Sequence, residues 1–388
     1  GTNNTAIGLC ALCSNTTGNT NTALGVNALD ANTTGDENTA VGGSALGVNI
    51  TGNNNTAVGR FALFANEASC NTAVGWSSLK TATSGSQNVA VGTDALALST
   101  TGANNVAIGF KALVSNTTAN ENVAVGRCSL KSNTIGTKNI AVGSYALDTN
   151  TEGDRNVAIG YQALDANTTA DDNVAIGNQA SKCTSSGTCN IAIGTDARRD
   201  GTTGCCNIAI GFQALRESET ANNNIAIGHE ALQQNTSGAN NVAIGGLSLD
   251  ANTTGDNNIA MGRGALGANT EGNCNVAIGD LALVASTTAN QNTGIGMLSM
   301  TATTSGIRNT ALGRQSMCAN TTGCCNVAVG SNSLASGTTG DFNVAVGGAA
   351  LGSINTGNCN VAVGACAMNT NTSGAVNVAI GKDALIAN

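Results

Sequence analysis

The sequence predicts an all-β protein, a parallel β-solenoid (β-roll) in which one short motif recurs along the whole chain. The motif is Asn, then Val, Ile or Thr, then Ala, an aliphatic residue and Gly, and it occurs 23 times in 388 residues, with Gly294 in place of Ala in one copy. Successive glycines lie 17 residues apart, except for one 16-residue step between Gly59 and Gly75. A short fixed period is typical of solenoids, whose units contact mainly their neighbours. We therefore expect a single array of 23 coils over residues 1–388.

The strand of each coil is predicted just before the glycine that closes the motif, which we number position 0. Val, Ile or Thr at position −3 and an aliphatic residue at −1 alternate around Ala at −2, and a period of two indicates a strand. β-Branched residues favour that conformation. We expect the small residues at +3 and the Leu at +4 to form a second short strand. The aliphatic side chains at −1 and +4 are then expected to fill a narrow core, with the small residues at −2 and +3 packed closely against the opposite wall or another chain.

The return loop follows, and its commonest form is Asn-Thr-Thr-Gly over positions +7 to +10. The glycine at +10 is expected to supply a positive φ angle. Several of these loops are also N-glycosylation sequons, including those at Asn32, Asn167 and Asn235. Because the loop pattern itself generates the sequons, their presence does not by itself indicate glycosylation.

Position −4 is Asn in every repeat. One Asn at a fixed place in each coil predicts a ladder in which each amide bonds the rungs above and below, as stacked Asn does in cross-β assemblies. A simple turn-forming role for this Asn is the alternative. The predicted ladder residues include Asn4, Asn21, Asn38, Asn156, Asn173 and Asn377.

Composition argues against several classes of function. The net charge of −8 disfavours nucleic-acid binding, which needs basic surfaces. No run of ~18 apolar residues is present for a membrane helix. His229 is the only histidine, so no His-based catalytic triad can be built from one chain. Acidic loop residues such as Asp36, Asp171 and Asp256 could suggest calcium, but most coils lack them and solvated loop charge is the better interpretation. We predict no catalytic residue, no cofactor and no metal site.

A variable surface position is predicted next to the turn glycine. Most of the aromatic residues stand at +1 or +2, where Arg, Lys and His also recur. A position that varies while its neighbours are fixed normally faces solvent, and scattered exposed side chains are ordinary. The alternative is an interaction stripe for a receptor or a neighbouring chain. Its residues would be Phe61, Trp76, Phe110, Tyr145, Tyr161 and Phe212.

The 14 cysteines are concentrated in loops, six of them at position −5. Residues in one column of adjacent coils should have Cα atoms about 4.8 Å apart, within the range of about 4.4–6.8 Å that a disulfide accepts. We predict loop disulfides, which would indicate an extracellular protein. Cys70, Cys128 and Cys274 have no near partner in their own chain and are expected to be free or bonded to another chain. Cys189 and Cys206 stand one coil apart at −5, and Cys183 and Cys318 face Cys189 and Cys324 or Cys325 across their own loops. The candidate disulfide residues are Cys183, Cys189, Cys206, Cys318, Cys324 and Cys325.

Two consecutive coils depart from the pattern. Ser181 and Arg198 replace the Leu at +4, and Thr184 and Gly201 replace the Asn at +7. A guanidinium group is costly to bury without a partner. We therefore expect Arg198 to swing outward and to leave its coil underpacked.

The repeat resembles two known groups of proteins. "NVAIGxxA" is similar to the head repeat of trimeric autotransporter adhesins, and "NTAVGxxALxxNTTGxxN" resembles the arrays of phage and viral tail-fibre proteins. This resemblance covers the whole chain and implies a left-handed parallel β-roll, assembled as a homotrimer in a surface-exposed attachment fibre. Adhesin heads have shorter coils, lack the NTTG arm and usually lack cysteines, so the tail-fibre arrays are the closer match.

The function expected from the sequence is mechanical. The chain would be the stiff shaft of an extracellular fibre on a virion or cell surface, about 110 Å long for 23 coils. Its partners would be further copies of itself and a host-surface receptor or glycan, without nucleic acid or membrane insertion. Because the chain opens and closes within a repeat, we expect it to be an internal segment of a longer fibre protein. The alternatives are a subunit of a self-assembling filament and a solenoid that binds a regular surface such as glycan or ice.

Overall fold

The structure, a computed structural model, describes residues 1–386, and it contains 23 three-residue β-strands and no helix within that range. The chain divides into two compact units, Gly1–Asn190 and Ile191–Asn388. In both units every strand occupies positions −3 to −1 of its repeat, as the alternation of residues predicts. The parallel β-solenoid is therefore confirmed in each unit.

The first unit contains eleven strands, and each of the first ten pairs in parallel with the next along the chain. The register is 17 residues, as between Thr5 and Thr22, and becomes 16 between Thr56 and Thr72, where the short repeat falls. The missing residue therefore lies in a loop and leaves the ladder intact. The strands are β1 (Thr5–Ile7), β2 (Thr22–Leu24), β3 (Thr39–Val41), β4 (Thr56–Val58), β5 (Thr72–Val74), β6 (Val89–Val91), β7 (Val106–Ile108), β8 (Val123–Val125), β9 (Ile140–Val142), β10 (Val157–Ile159) and β11 (Val174–Ile176).

The second unit contains twelve strands with the same parallel pairing and the same 17-residue register, as between Ile191 and Ile208. The strands are β12 (Ile191–Ile193), β13 (Ile208–Ile210), β14 (Ile225–Ile227), β15 (Val242–Ile244), β16 (Ile259–Met261), β17 (Val276–Ile278), β18 (Thr293–Ile295), β19 (Thr310–Leu312), β20 (Val327–Val329), β21 (Val344–Val346), β22 (Val361–Val363) and β23 (Val378–Ile380).

The second predicted strand of each coil is absent from the described residues, and a turn occupies positions +1 to +6. The residues at +2 and +4 are left-handed although only one of them, Gly264, is a glycine; Asn27 has φ 56° and Leu29 has φ 50°. A segment in which every second residue is left-handed cannot form an extended strand. Instead, these N–H groups bond neighbouring coils, Asn27 to the carbonyl of Leu9 at 2.9 Å and Leu29 to that of Ala45 at 3.0 Å. The turn thus contributes its own ladder of backbone bonds.

The core is narrower than the sequence suggested. Ala23 at −2, Ala28 at +3 and Leu29 at +4 are fully buried, and the same positions are buried in nearly every interior coil. Leu24 at −1, by contrast, is 44% exposed. Successive side chains of a strand point to opposite faces, so placing the small Ala inside forces −3 and −1 outward. The prediction that the −1 aliphatics fill the core is wrong.

Neighbouring coils lie close together at both recurrent glycines. The turn glycine Gly42 has φ +131°, and a Cβ on it would lie 2.7 Å from the carbonyl of Gly59. Gly35, at +10, does not have a left-handed φ, which contradicts the expectation for that column. A Cβ on Gly35 would instead lie 2.5 Å from the carbonyl oxygen of Gly52 and from the side-chain oxygen of Asn32. This close approach favours the smallest residues at +10, where four coils have Ala119, Ala170, Ala221 and Ala289 in place of glycine.

Candidate functional site

The invariant Asn at −4 forms a buried ladder inside each unit. The Oδ1 of Asn21 accepts the backbone N–H of Asn38 at 2.9 Å, and its Nδ2 donates to the carbonyl of Gly35 at 2.8 Å. Each amide therefore links one coil to the next and closes its own coil across the interior. The predicted residues Asn4, Asn21, Asn38, Asn156, Asn173 and Asn377 all take part in such bonds.

A second buried Asn ladder, at +7, was not recognised from the sequence. Asn32 Nδ2 donates to Asn15 Oδ1 at 2.9 Å and to the carbonyl of Gly35 at 3.1 Å. These Asn residues are the first residues of the sequons, and Asn32, Asn167 and Asn235 are fully buried. The folded chain therefore offers no access to those amides for a glycan.

Arg198 lies inside its coil, so the prediction that it swings outward is wrong. The residue is fully buried and has φ 48°, the conformation of the Leu that it replaces. Its Nη2 donates to the carbonyl of Gly204 at 2.6 Å. Burial lowers the pKa of the guanidinium to about 10.

The absence of a side chain at Gly201 makes this burial sterically feasible. A Cβ on Gly201 would lie 2.7 Å from Arg198 Cζ, so the guanidinium fills the space that the +7 Asn occupies elsewhere. The bond to Gly204 also replaces the usual bond from Asn to the residue at +10, such as that from Asn235 Nδ2 to the carbonyl of Gly238 at 2.8 Å. The two departures from the repeat compensate each other.

Several of the acidic loop residues have a structural role. At position −6, Asp36 Oδ1 accepts the backbone N–H of Asn19 at 2.6 Å, and Asp256 does the same for Ala239. At +5, Asp165 and Asp250 are partly buried, and burial raises the pKa of both carboxyl groups. Within residues 1–386 no group of three or more His, Cys, Asp or Glu side chains is arranged to hold a metal ion. The side-chain bonds at −6 form a third ladder, and the frequent Asp or Asn at that position is the sequence signal for it.

Two outward-facing apolar columns, at −3 and −1, run along each unit, and we name them the apolar strip. In the first unit Val74, Ile108 and Ile159 are each more than a third exposed, and Ile227 and Leu312 are similar in the second. Every residue in these columns is Val, Ile, Leu, Met or Thr, so the strip carries no charge. Its position follows from the small Ala between the columns, which faces the core.

Four of the six residues of the predicted interaction stripe are exposed, and most of the stripe lies in the first unit. Trp76, Phe110 and Tyr161 are each exposed by more than 40%, whereas Phe61 and Tyr145 are partly buried. Neighbouring coils bring the two tyrosine rings together edge to face, with centroids 6.3 Å apart. Phe212, in the second unit, is separate from these and stacks on His229 with centroids 5.3 Å apart.

Cations accompany these rings in the first unit. The Cζ of Arg60 lies 4.6 Å from the ring centre of Phe61, and the Nζ of Lys111 lies 5.2 Å from that of Phe110. Arg127 approaches Tyr145 at 5.4 Å. These distances are within the range of cation–π attraction. The recurrence of aromatic and basic residues at +1 and +2 predicts the column, but it does not predict which ring each cation contacts.

The predicted loop disulfides are not formed in the described chain. Cys189, Cys206, Cys318, Cys324 and Cys325 carry free thiols, so the expected bonds of Cys183 to Cys189 and of Cys318 to Cys324 or Cys325 are missing within residues 1–386. The thiols are directed to backbone carbonyls instead, Cys318 Sγ to that of Ala335 at 3.4 Å and Cys324 Sγ to that of Thr322 at 3.3 Å. Cys70, Cys128 and Cys274 are also free, and a bond to another chain stays a prediction for them.

No pocket is detected over residues 1–386, and no helix in that range is long and apolar enough to cross a membrane. Comparisons with protein families, curated proteins and solved structures find no match for this chain. The surface features that remain as candidates for function are the apolar strip and the basic, aromatic part of the stripe.

Proposed function

We propose that this chain is a structural shaft segment of an extracellular attachment fibre, and that copies of it associate through the apolar strip. The observation that carries the proposal is the strip itself. Ten or more consecutive coils in each unit present uncharged, partly exposed Val, Ile, Leu and Thr side chains. A soluble monomer rarely exposes an apolar patch larger than about 300–600 Å². In the first unit alone the strip has 22 side chains, each exposed by about one third on average. Together they present on the order of 1,000 Å² of surface, enough for one side of a stable interface.

A second copy of the same chain is the partner that fits this strip best. Parallel strands stack at about 4.8 Å per coil, so two strips from identical chains match in spacing along their whole length. A chain of different sequence would have to reproduce that spacing by coincidence. The resemblance to trimeric adhesins and tail fibres leads us to propose three copies and a left-handed coil.

A fibre shaft is also consistent with the internal bonding. Each coil is joined to its neighbours by strand bonds, turn bonds and Asn amides, as described for Asn21 and Leu29. Stiffness would then come from repeated hydrogen bonds, and length from the number of coils. We propose an extracellular location on a virion or cell surface, with no catalytic role. Disulfides, where they occur, would join different chains.

The experiment that tests this proposal is the measurement of oligomeric mass by sedimentation velocity. Lysine substitutions at Val74, Val91 and Ile108 place charges in the strip in three successive coils. A matched control carries lysines at Ser84, Thr101 and Thr118, loop positions of the same three coils. We expect the unsubstituted chain and the control to be oligomeric, and the strip variant to be a folded monomer by circular dichroism. A monomeric unsubstituted chain at every concentration, or a strip variant with unchanged mass, would refute the proposal.

A further inference from the structure

The +1 and +2 positions of the coils from Gly59 to Gly160 form a basic aromatic patch on the first unit. Residues 60–162 contribute five of the chain's eight aromatic side chains at these positions, together with Arg60, Lys111 and Arg127. Asp94 is the single acid among them, so three cations and one anion leave a local charge of +2 in a chain of net charge −8. Such a reversal of sign, in one group of consecutive coils, sets the patch apart from the rest of the surface.

From this patch we infer a further function: it binds an extended acidic polysaccharide, one that carries carboxylate or sulfate groups. The inference concerns different columns from the apolar strip and does not depend on the number of copies in the fibre. Three of the aromatic side chains are well exposed. Trp76, Phe110 and Tyr161 are exposed by 49%, 44% and 47%. Flat aromatic faces of this kind pack against the C–H faces of sugar rings.

The three cations of the patch follow one another along the coils. Arg60 and Lys111 are three coils apart, about 14 Å, and Arg127 follows one coil later, at about 5 Å. A ligand with regularly repeated anionic groups can reach all three at once. The guanidinium groups also bind carboxylate or sulfate oxygens in a two-pronged geometry.

The flatness of the surface restricts the ligand to an extended chain. Because no pocket is detected in the described residues, a small compact ligand would make few contacts. A polymer lying along the coils can instead touch the rings and cations one after another, and many weak contacts then sum. Single-stranded nucleic acid also stacks on aromatic rings. The oligo-dT probe in the test below distinguishes such a strand from a polysaccharide.

The test is a binding titration of the full chain with four immobilised probes: heparin for sulfate, hyaluronate for carboxylate, dextran as a neutral polysaccharide and an oligo-dT strand. A patch variant combines Trp76→Ala with Arg127→Gln. A matched control combines Phe212→Ala with Arg314→Gln, which removes one aromatic and one cation from the same +1 column in the second unit. We expect salt-sensitive binding to heparin, to hyaluronate or to both. The patch variant should lose about tenfold in affinity, equivalent to about 1.4 kcal/mol, and the control should keep it within about twofold.

The two acidic probes distinguish sulfate from carboxylate recognition, and binding to either supports the inference. It is overturned if neither acidic probe binds, if dextran or oligo-dT binds as well or better, or if the control loses as much affinity as the patch variant. Sedimentation of the patch variant separates this result from the fibre proposal. Loss of binding with unchanged oligomeric mass would concern the patch alone.

Discussion

The compensation between Arg198 and Gly201 leads to a double-mutant prediction. The substitution Arg198→Leu restores the residue usual at +4, and Gly201→Asn restores the one usual at +7. Made singly, each change should leave the coil less stable than the double variant, because only the double variant both removes the buried charge and fills the space beside Gly201. Arg198→Leu removes the bond to Gly204 and leaves unfilled space beside Gly201, and loss of a bond from a charged group costs about 1.5–3 kcal/mol. Gly201→Asn places a Cβ 2.7 Å from Arg198 Cζ, and overpacking of this kind costs about 1–3 kcal/mol.

Together, the two changes should stabilise the coil. The restored Asn fills the space and donates to Gly204, while the buried charge is removed. The fall in the pKa of Arg198 from 12.5 to about 10 corresponds to about 3 kcal/mol of unfavourable burial at neutral pH. We therefore expect the double variant to be at least as stable as the unsubstituted chain. The coupling energy between the sites should be about 3 kcal/mol or more.

Hydrogen exchange of the peptide covering residues 195–207, followed by mass spectrometry, is the appropriate assay because it reports local opening. Denaturation of a long repeat array need not be two-state. The reasoning is refuted if the two single effects add within about 0.5 kcal/mol, or if the double variant exchanges faster than either single variant.

Three further predictions concern other parts of the chain. Because Asn167 and Asn235 are buried in the +7 ladder, folded protein secreted from a eukaryotic cell should lack glycans at both residues. High glycan occupancy at either residue, measured by glycopeptide mass spectrometry of the folded fraction, would contradict this. Burial, and to a lesser extent Asp148, raises the pKa of Asp165 above its ordinary value of 3.8, so its ionised form destabilises the fold above that raised pKa. Asp165→Asn should raise the denaturation midpoint at pH 7, and the difference should vanish as the pH falls below about 3.8; an equal gain at low pH would argue against it. Deletion of residues 93–109, one whole repeat, should leave a folded chain by circular dichroism, while deletion of residues 93–100 should not; equal folding of both would be inconsistent with a fixed register.

The sequence predicts the position of every strand because the turn glycine recurs and each strand ends one residue before it. It does not reveal which face of the strand is inside, since alternation is the same for either choice. The narrow interior of the coil determines which face is inside, because only a side chain as small as that of Ala23 fits there. The sequence predicts a second strand around +3 and +4, where the structure has a turn, because nothing in the sequence indicates that Leu29 is left-handed. The compensation of Arg198 by Gly201 was visible in the sequence, since both departures lie in one repeat. The aromatic column was predicted as well, but its pairing with cations depends on side-chain directions that only the structure gives.

The left-handed residues have a consequence for how the protein forms. Each coil holds non-glycine residues such as Glu37, Ser44 and Leu46 at φ between 50° and 58°, a conformation that costs about 1–2 kcal/mol per residue. The N–H of Leu46 is bonded to the carbonyl of Ala62 in the next coil, and that of Ser44 to the carbonyl of Val26 in the preceding coil. A solitary coil therefore has the strain without the bonds. Folding of either unit should therefore be slow for the first pair of coils and rapid for each further coil, which forms beside one that is already folded.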